Sequence, residues 1–191
     1  GSGKTTLARA LQTAWPETVG VIAYDWYYRD YDTLSFAERC VLDFDTTEAL
    51  DTPLLITHLN ALKRGASIQA PQYDFNTHAR MQKTLEVHPK PVLVVEGIHA
   101  LGDVQLRQVY DWSVYLDVPE ELRLQRRLER DTTERGRSRE AALTQYEQQT
   151  RPNHVRYVAP CKTHAALILT ESNDAAVAVL KAHLQGMLSA R

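Results

Sequence analysis

The 191-residue sequence predicts an α/β fold, a mainly parallel sheet with helices on both faces. Three observations carry that prediction. Continuous apolar runs bounded by turn residues alternate with segments of helical period, as expected of doubly buried strands joined by crossover helices. A glycine-rich turn, "GSGKTT" at residues 1–6, leads directly into a helical stretch. Acidic residues stand at the carboxyl ends of the apolar runs, where open α/β sheets collect their ligands.

In chain order, Gly3, Lys4 and Thr5 complete the tail of a G-x-x-x-x-G-K-[ST] phosphate loop. Its leading glycine would lie ahead of residue 1, so the first strand and the start of the loop are expected to be missing from this sequence. "GKTTLARALQTAW" supplies the helix behind the loop. The apolar runs are "VGVIAYD" ending at Asp25, "PVLVVEG" ending at Glu96 and Gly97, "WSVYLDV" ending at Val118, and "HAALILT" ending at Thr170. With the missing one they make a five-stranded sheet. Between the first two, Thr52 reads as a helix N-cap with Pro53 in the first turn, Leu55, Leu59 and Leu62 follow at helical spacing, and Gly65 closes the helix. Residues 66–88 lack helical period and carry Pro71, which predicts a β-hairpin inserted beside the sheet.

Composition narrows the function classes. The length suits one domain that buries a core without a disulfide or structural metal. A net charge of −2 offers no global basic field for nucleic acid or anionic lipid, so any basic site is local. Cys40 and Cys161 match no zinc or redox spacing, which fits a reducing compartment and makes cytoplasm the expected location. No apolar run approaches the roughly 20 residues of a membrane helix.

The chemistry-bearing residues follow from position. Backbone amides at a helix N-terminus bind phosphate because several donors and a positive dipole converge on one anion. Lys4 would reach the β- and γ-phosphates, and the Thr5 hydroxyl would ligate Mg²⁺. The plainer reading is a turn that merely starts a helix. Asp25 is placed to accept the proton of an attacking hydroxyl, or else to serve as a turn aspartate. Glu96 ends a buried strand, where an unpartnered carboxylate is costly and a Mg²⁺-holding acid is expected. Asp117 also ends a strand but leads into a helix and reads as structural.

Arg123, Arg126, Arg127 and Arg130 recur at i, i+3, i+4 and i+7, one helical face. They make either a solvated face paired with Glu129, Asp131 and Glu134, or the start of a lid over residues 127–140 with Arg135 and Arg137 as a basic hook. Tyr73, Phe75 and His78 cluster within six residues, able to stack a flat ring or to pack on the sheet. Phe44 stands beside Asp45 in a polar loop, where an aspartate could grip paired ribose hydroxyls. The other histidines show no ligand spacing.

Taken in order, "GSGKTT", "YDWYY", "DFDTTEALD", "PQYDFNTHAR", "VVEGIHAL", "RLQRRLERDTTERGR" and "QYEQQTRPNHVRYVAPCK" resemble the uridine-cytidine kinase branch of the phosphoribulokinase and uridine kinase family of P-loop kinases. The resemblance runs nearly end to end. It implies the P-loop NTPase fold and transfer of phosphate from ATP, or GTP, to the 5′-hydroxyl of uridine or cytidine with Mg²⁺. Asp25 would be the general base. Gly1, Ser2, Gly3, Lys4, Thr5, Thr6, Arg130 and Arg135 would hold the donor, with Thr5 and Glu96 serving the metal. Asp45 and Arg127 would bind the ribose, Tyr73, His78 and Arg137 the pyrimidine edge, and Phe44, Phe75 and Tyr28 the rest of that pocket. A homo-oligomer, a tetramer through the hairpin, is also implied. Trp26, Thr46, Thr47, Ala165, Ala166 and "TESN" depart from the family pattern. Two other readings are a kinase of the same fold acting on another small alcohol, such as ribulose phosphate or pantothenate, and a nucleotide-binding module without turnover.

Overall fold

The structure, a computed structural model, describes residues 1–133, 136–171 and 174–189. Helix α1 (Lys4–Ala14) starts at Gly3, whose φ of 88° lies in the left-handed region that favours glycine. Strand β1 (Val19–Ala23) follows, then a 3₁₀ turn (Tyr24–Tyr27) that carries Asp25, so the strand stops two residues short of the expected aspartate. Helix α2 (Phe36–Cys40) is closed at its start by a capping box between Ser35 and Glu38. Helix α3 (Thr52–Lys63) is capped by Asp51, whose carboxylate accepts from Leu54 N–H; Thr52 is the first helical residue and not the cap. Gly65, with φ 82°, ends it as expected.

The inserted segment forms two short antiparallel ladders. Strand β2 (Ile68–Ala70) pairs with β5 (Leu85–Val87), and β3 (Tyr73–Asp74) pairs with β4 (Ala79–Arg80). Arg80 fastens the hairpin to the Asp25 turn: its guanidinium donates to the carbonyl of Tyr28 at 2.7 Å and to the Asp51 carboxylate at 3.1 Å.

Strand β6 (Val92–Glu96) lies parallel to β1, in register from Val19 opposite Val92 to Ala23 opposite Glu96. Alternation along this pair sorts its side chains onto two faces. Ile22, Leu93 and Val95 pack with Leu55, Leu59 and Leu106, the last from helix α4 (Val104–Val109). Val19, Val21, Val92 and Val94 pack instead with Leu7 and Leu11 of α1 and with Leu180 and Leu184 of a C-terminal helix. Helices therefore cover both faces, because both faces are apolar.

Strand β7 (Val114–Leu116) precedes helix α5 (Glu120–Thr133) and helix α6 (Arg139–Gln145). Two π-helical turns (Tyr146–Thr150 and His154–Val158) flank a short α7 (Arg151–Asn153). Pro152 sits in this stretch, and a proline inside a helix both removes an N–H and crowds the preceding turn, which the wider winding relieves. Strand β8 (Leu167–Leu169) then pairs parallel to β7, and α8 (Asp174–Ser189) follows.

The parallel strands form two separate pairs, β1 with β6 and β7 with β8, rather than one continuous sheet. A cavity of about 670 Å³ separates them, walled by β6 on one side and β7 on the other.

Candidate active site

Two chain segments meet at the carboxyl end of β6. The N-terminus of α1 brings Lys4 Nζ to 3.4 Å from Glu96 Oε2, and Thr5 Oγ1 donates to Glu96 Oε1 at 3.0 Å. The β1–β6 register sets Ala23 beside Glu96, so Asp25, two residues further on, stands at the same end. Burial pushes the Asp25 carboxyl above its ordinary range; Lys4 pulls it down, and Glu96 pushes it further up. That balance favours a carboxylate that takes up a proton readily.

Among the described residues Glu96 Oε2 is buried with no hydrogen-bond partner, and the Lys4 ammonium stands 3.4 Å from it. An orphaned carboxylate oxygen beside a threonine hydroxyl is a fitting pair for a hard cation. Among the described residues no cluster of three acidic, histidine or cysteine side chains could hold a metal by itself. The chain would thus contribute Thr5 and Glu96, leaving the other positions to phosphate oxygens and water, the usual coordination of Mg²⁺.

The arginine stripe of α5 is organised around Asp131, which is fully buried. Arg130 chelates Asp131 Oδ1 through Nε (3.1 Å) and Nη2 (2.9 Å), while Arg127 and Arg137 approach Oδ2 at 3.5 and 3.7 Å. Arg127 and Arg137 both donate to Gln145 Oε1 as well. The stripe is therefore more than a solvated face: two of its cations, Arg127 and Arg130, converge with Arg137 from beyond the helix on one carboxylate. Arg135 and Glu134 lie outside the described residues.

Beside the hairpin, Phe44 and His78 stack at 4.9 Å with 11° between their planes. Tyr28 packs against Phe44 and Tyr73, and Tyr73 against Phe75. Tyr28 and Tyr73 also belong to the core, so the cluster packs on the sheet, the second of the two sequence readings of the hairpin aromatics. Buried Tyr73 Oη has no hydrogen-bond partner among the described residues, a polar group that a ligand edge would satisfy. Asp45 lines the central cavity together with Lys4, Glu96 and Arg127.

The model of the phosphoribulokinase/uridine kinase family matches residues 1–178. The chain belongs to this family. Similar relatives include the uridine kinase of Staphylococcus epidermidis RP62A, 39% identical over 192 residues that cover 99% of this chain and 93% of that protein. The uridine kinase of Salmonella paratyphi B is 39% identical over 190 residues, 96% of this chain and 89% of that protein. Among solved structures, a putative fructose transport system kinase from Silicibacter sp. TM1040 superposes with a TM-score of 0.70 at 23% identity, over 88% of this chain and 84% of that one. Phosphoribulokinase from Rhodobacter spheroides gives 0.61 at 13% identity, over 88% and 67%. These two likenesses show the shared P-loop kinase fold.

Within this member of the phosphoribulokinase/uridine kinase family, two features go beyond the sequence reading, which takes Asp131 only as one of three acids pairing a solvated face and claims nothing for His99. Asp131 is the hub of the arginines, and its i,i+4 spacing from Arg127 was the available signal. His99 is buried and bonds the Asp45 carbonyl through Nε2 at 3.0 Å. A carbonyl only accepts, so Nε2 carries the proton. Nothing in spacing predicts that bond.

Proposed function

We propose that this chain transfers the terminal phosphoryl group of ATP, with Mg²⁺, to the 5′-hydroxyl of uridine or cytidine. The observation that carries the reading is the convergence of Asp25, Lys4, Thr5 and Glu96 at one end of the β1–β6 pair. The acceptor class is supported by the relatives named uridine kinases. The aromatic cluster, with its unpartnered Tyr73 hydroxyl, suits a flat base.

In this reading Asp25 accepts the proton of the 5′-hydroxyl as the oxygen attacks the terminal phosphorus. Its raised pKa strengthens it as a base. Lys4 and the loop amides of Gly1, Ser2, Gly3, Thr5 and Thr6 hold the donor phosphates. Arg130 and Arg135 follow the charge that shifts to the leaving phosphate. Mg²⁺ held by Thr5 and Glu96 would neutralise phosphate charge. Asp45 and Arg127 hold the ribose hydroxyls, Tyr73, His78 and Arg137 read the base edge, and Phe44, Phe75 and Tyr28 flank it. Rate acceleration then comes chiefly from positioning and charge stabilisation.

The test is ADP release from Mg·ATP, and from Mg·GTP, against uridine, cytidine, adenosine, ribulose 5-phosphate and pantothenate. Stimulation by the pyrimidine nucleosides alone is expected. Stimulation only by a sugar phosphate or pantothenate would move the acceptor, and silence with all five would leave a nucleotide-binding module. The same reading includes a cytoplasmic homo-oligomer joined through the hairpin; light scattering that returns only monomer would remove that part. Among the described residues no helix is long and apolar enough to cross a membrane.

A further inference from the structure

The loop that carries Asp45 has little to hold it from within. Its own contacts are the Asp45 N–H donating to Asp43 Oδ1 at 3.0 Å and the Thr46 hydroxyl donating to the Asp43 carbonyl at 3.2 Å. His99 Nε2 holds its backbone by donating to the Asp45 carbonyl at 3.0 Å, and its two carboxylates are held from more than a hundred residues away. Thr150 Oγ1 donates to Asp45 Oδ2 at 2.9 Å, and Asn153 Nδ2 donates to Asp43 Oδ2 at 2.7 Å. Thr150 and Asn153 are three residues apart on a continuous helical path, so they present their donors from one face. Both line the cavity shared by Asp45, Lys4, Glu96 and Arg127.

We infer that Thr150 and Asn153 are positioning residues that brace the Asp43–Asp45 loop and thereby set how strictly the acceptor pocket demands a ribose diol. The inference rests on the proposed role of Asp45 as the ribose-binding acid. A carboxylate oxygen accepts two hydrogen bonds, so the Thr150 hydroxyl orients the group without using it up. One side of the carboxylate is thus fixed by the protein, and the other is presented to the sugar in a single plane. An unbraced carboxylate rotates, which spreads its acceptors over many directions and weakens selection between one hydroxyl and two.

The experiment compares the whole protein with Thr150→Val, Thr150→Ser, Asn153→Leu, Asp45→Asn and the Thr150→Val/Asp45→Asn double variant. Kinetics are measured with uridine and with 2′-deoxyuridine, and thermal melting checks folding. Thr150→Val keeps the shape and loses the donor, so KM for uridine should rise about tenfold, the size expected for a hydrogen bond to a charged group. The KM for ATP should stay within about twofold and the uridine to 2′-deoxyuridine preference should narrow by a similar factor of about ten. Thr150→Ser should restore parent values. Asn153→Leu, acting one residue pair further out, should narrow the preference less. In the double variant Thr150→Val should add little to Asp45→Asn, the signature of two residues acting as a unit.

If Asp45→Asn narrows the preference and neither Thr150→Val nor Asn153→Leu does, the brace is overturned while the ribose role stands. If Asp45→Asn leaves the preference intact, the ribose assignment itself falls and takes the brace with it. Equal damage from Thr150→Ser and Thr150→Val, or an equal rise in the KM for ATP, would also overturn the inference by showing a merely structural role.

Discussion

Thr5 Oγ1 donates a 3.0 Å hydrogen bond to Glu96 Oε1 and so ties the first turn of α1 to the end of β6, 91 residues later. With Lys4 at 3.4 Å from the other oxygen, Glu96 is the point where phosphate loop and central strands meet. Glu96→Gln keeps the size and removes the charge. The Mg²⁺ concentration giving half-maximal ADP release should rise by at least about tenfold. An unchanged Mg²⁺ titration curve would remove Glu96 from the metal site.

Asp25 couples activity to stability. Asp25→Asn should lower kcat by about 10²- to 10⁴-fold, the range of a lost general base. Because the folded pKa lies above the ordinary 3.8, ionising this carboxyl costs the folded state stability as pH rises through that pKa. The asparagine variant should therefore melt at a higher temperature than the parent at pH 7, and the advantage should fade as pH falls through the raised folded pKa and be gone below 3.8. A variant that is both slower and less stable at pH 7 would contradict the burial argument.

Histidine burial adds an opposite slope. His58, His99 and His154 all have pKa values pushed below the ordinary 6.5, with desolvation as the leading cause. The unfolded chain then binds more protons than the folded one just below pH 6.5, so stability is lost as pH falls through that region. Melting temperature should drop from pH 7.5 to 5.5, and His99→Gln, which keeps a donor for the Asp45 carbonyl, should flatten part of the drop. A flat melting profile across this window would count against the assignment.

Asp131 offers a test of the arginine cluster. Asp131→Asn leaves Arg127, Arg130 and Arg137 without their shared buried charge. Removing one side of a buried ion-pair network costs about 3–5 kcal/mol, so the melting temperature should fall clearly. The KM for ATP should rise as well, since Arg130 loses the group that aims it. Unchanged KM values with lowered stability would confine Asp131 to folding.

Much of the site was legible because it is written in local patterns. Gly3 before Lys4 and Thr5 announces a helix N-terminus shaped for an anion, and the apolar run ending at Glu96 announces a buried strand with an acid at its carboxyl end. Both depend on neighbours within a few residues. Boundaries were less legible: the α3 cap fell on Asp51 instead of Thr52, since either side chain can accept from the first free amides and only the local backbone path chooses between them.

By itself the sequence determined the α/β class, the phosphate loop, the inserted hairpin and the arginine face, all of which follow from side-chain periodicity and backbone preference. Only the tertiary structure decided that Asp131 gathers three arginines, and that Thr150 and Asn153 reach back to Asp45 and Asp43. A hydrogen bond between residues 105 or 110 positions apart leaves no trace in spacing. Its geometry exists only once packing has brought the two segments within 3 Å of each other.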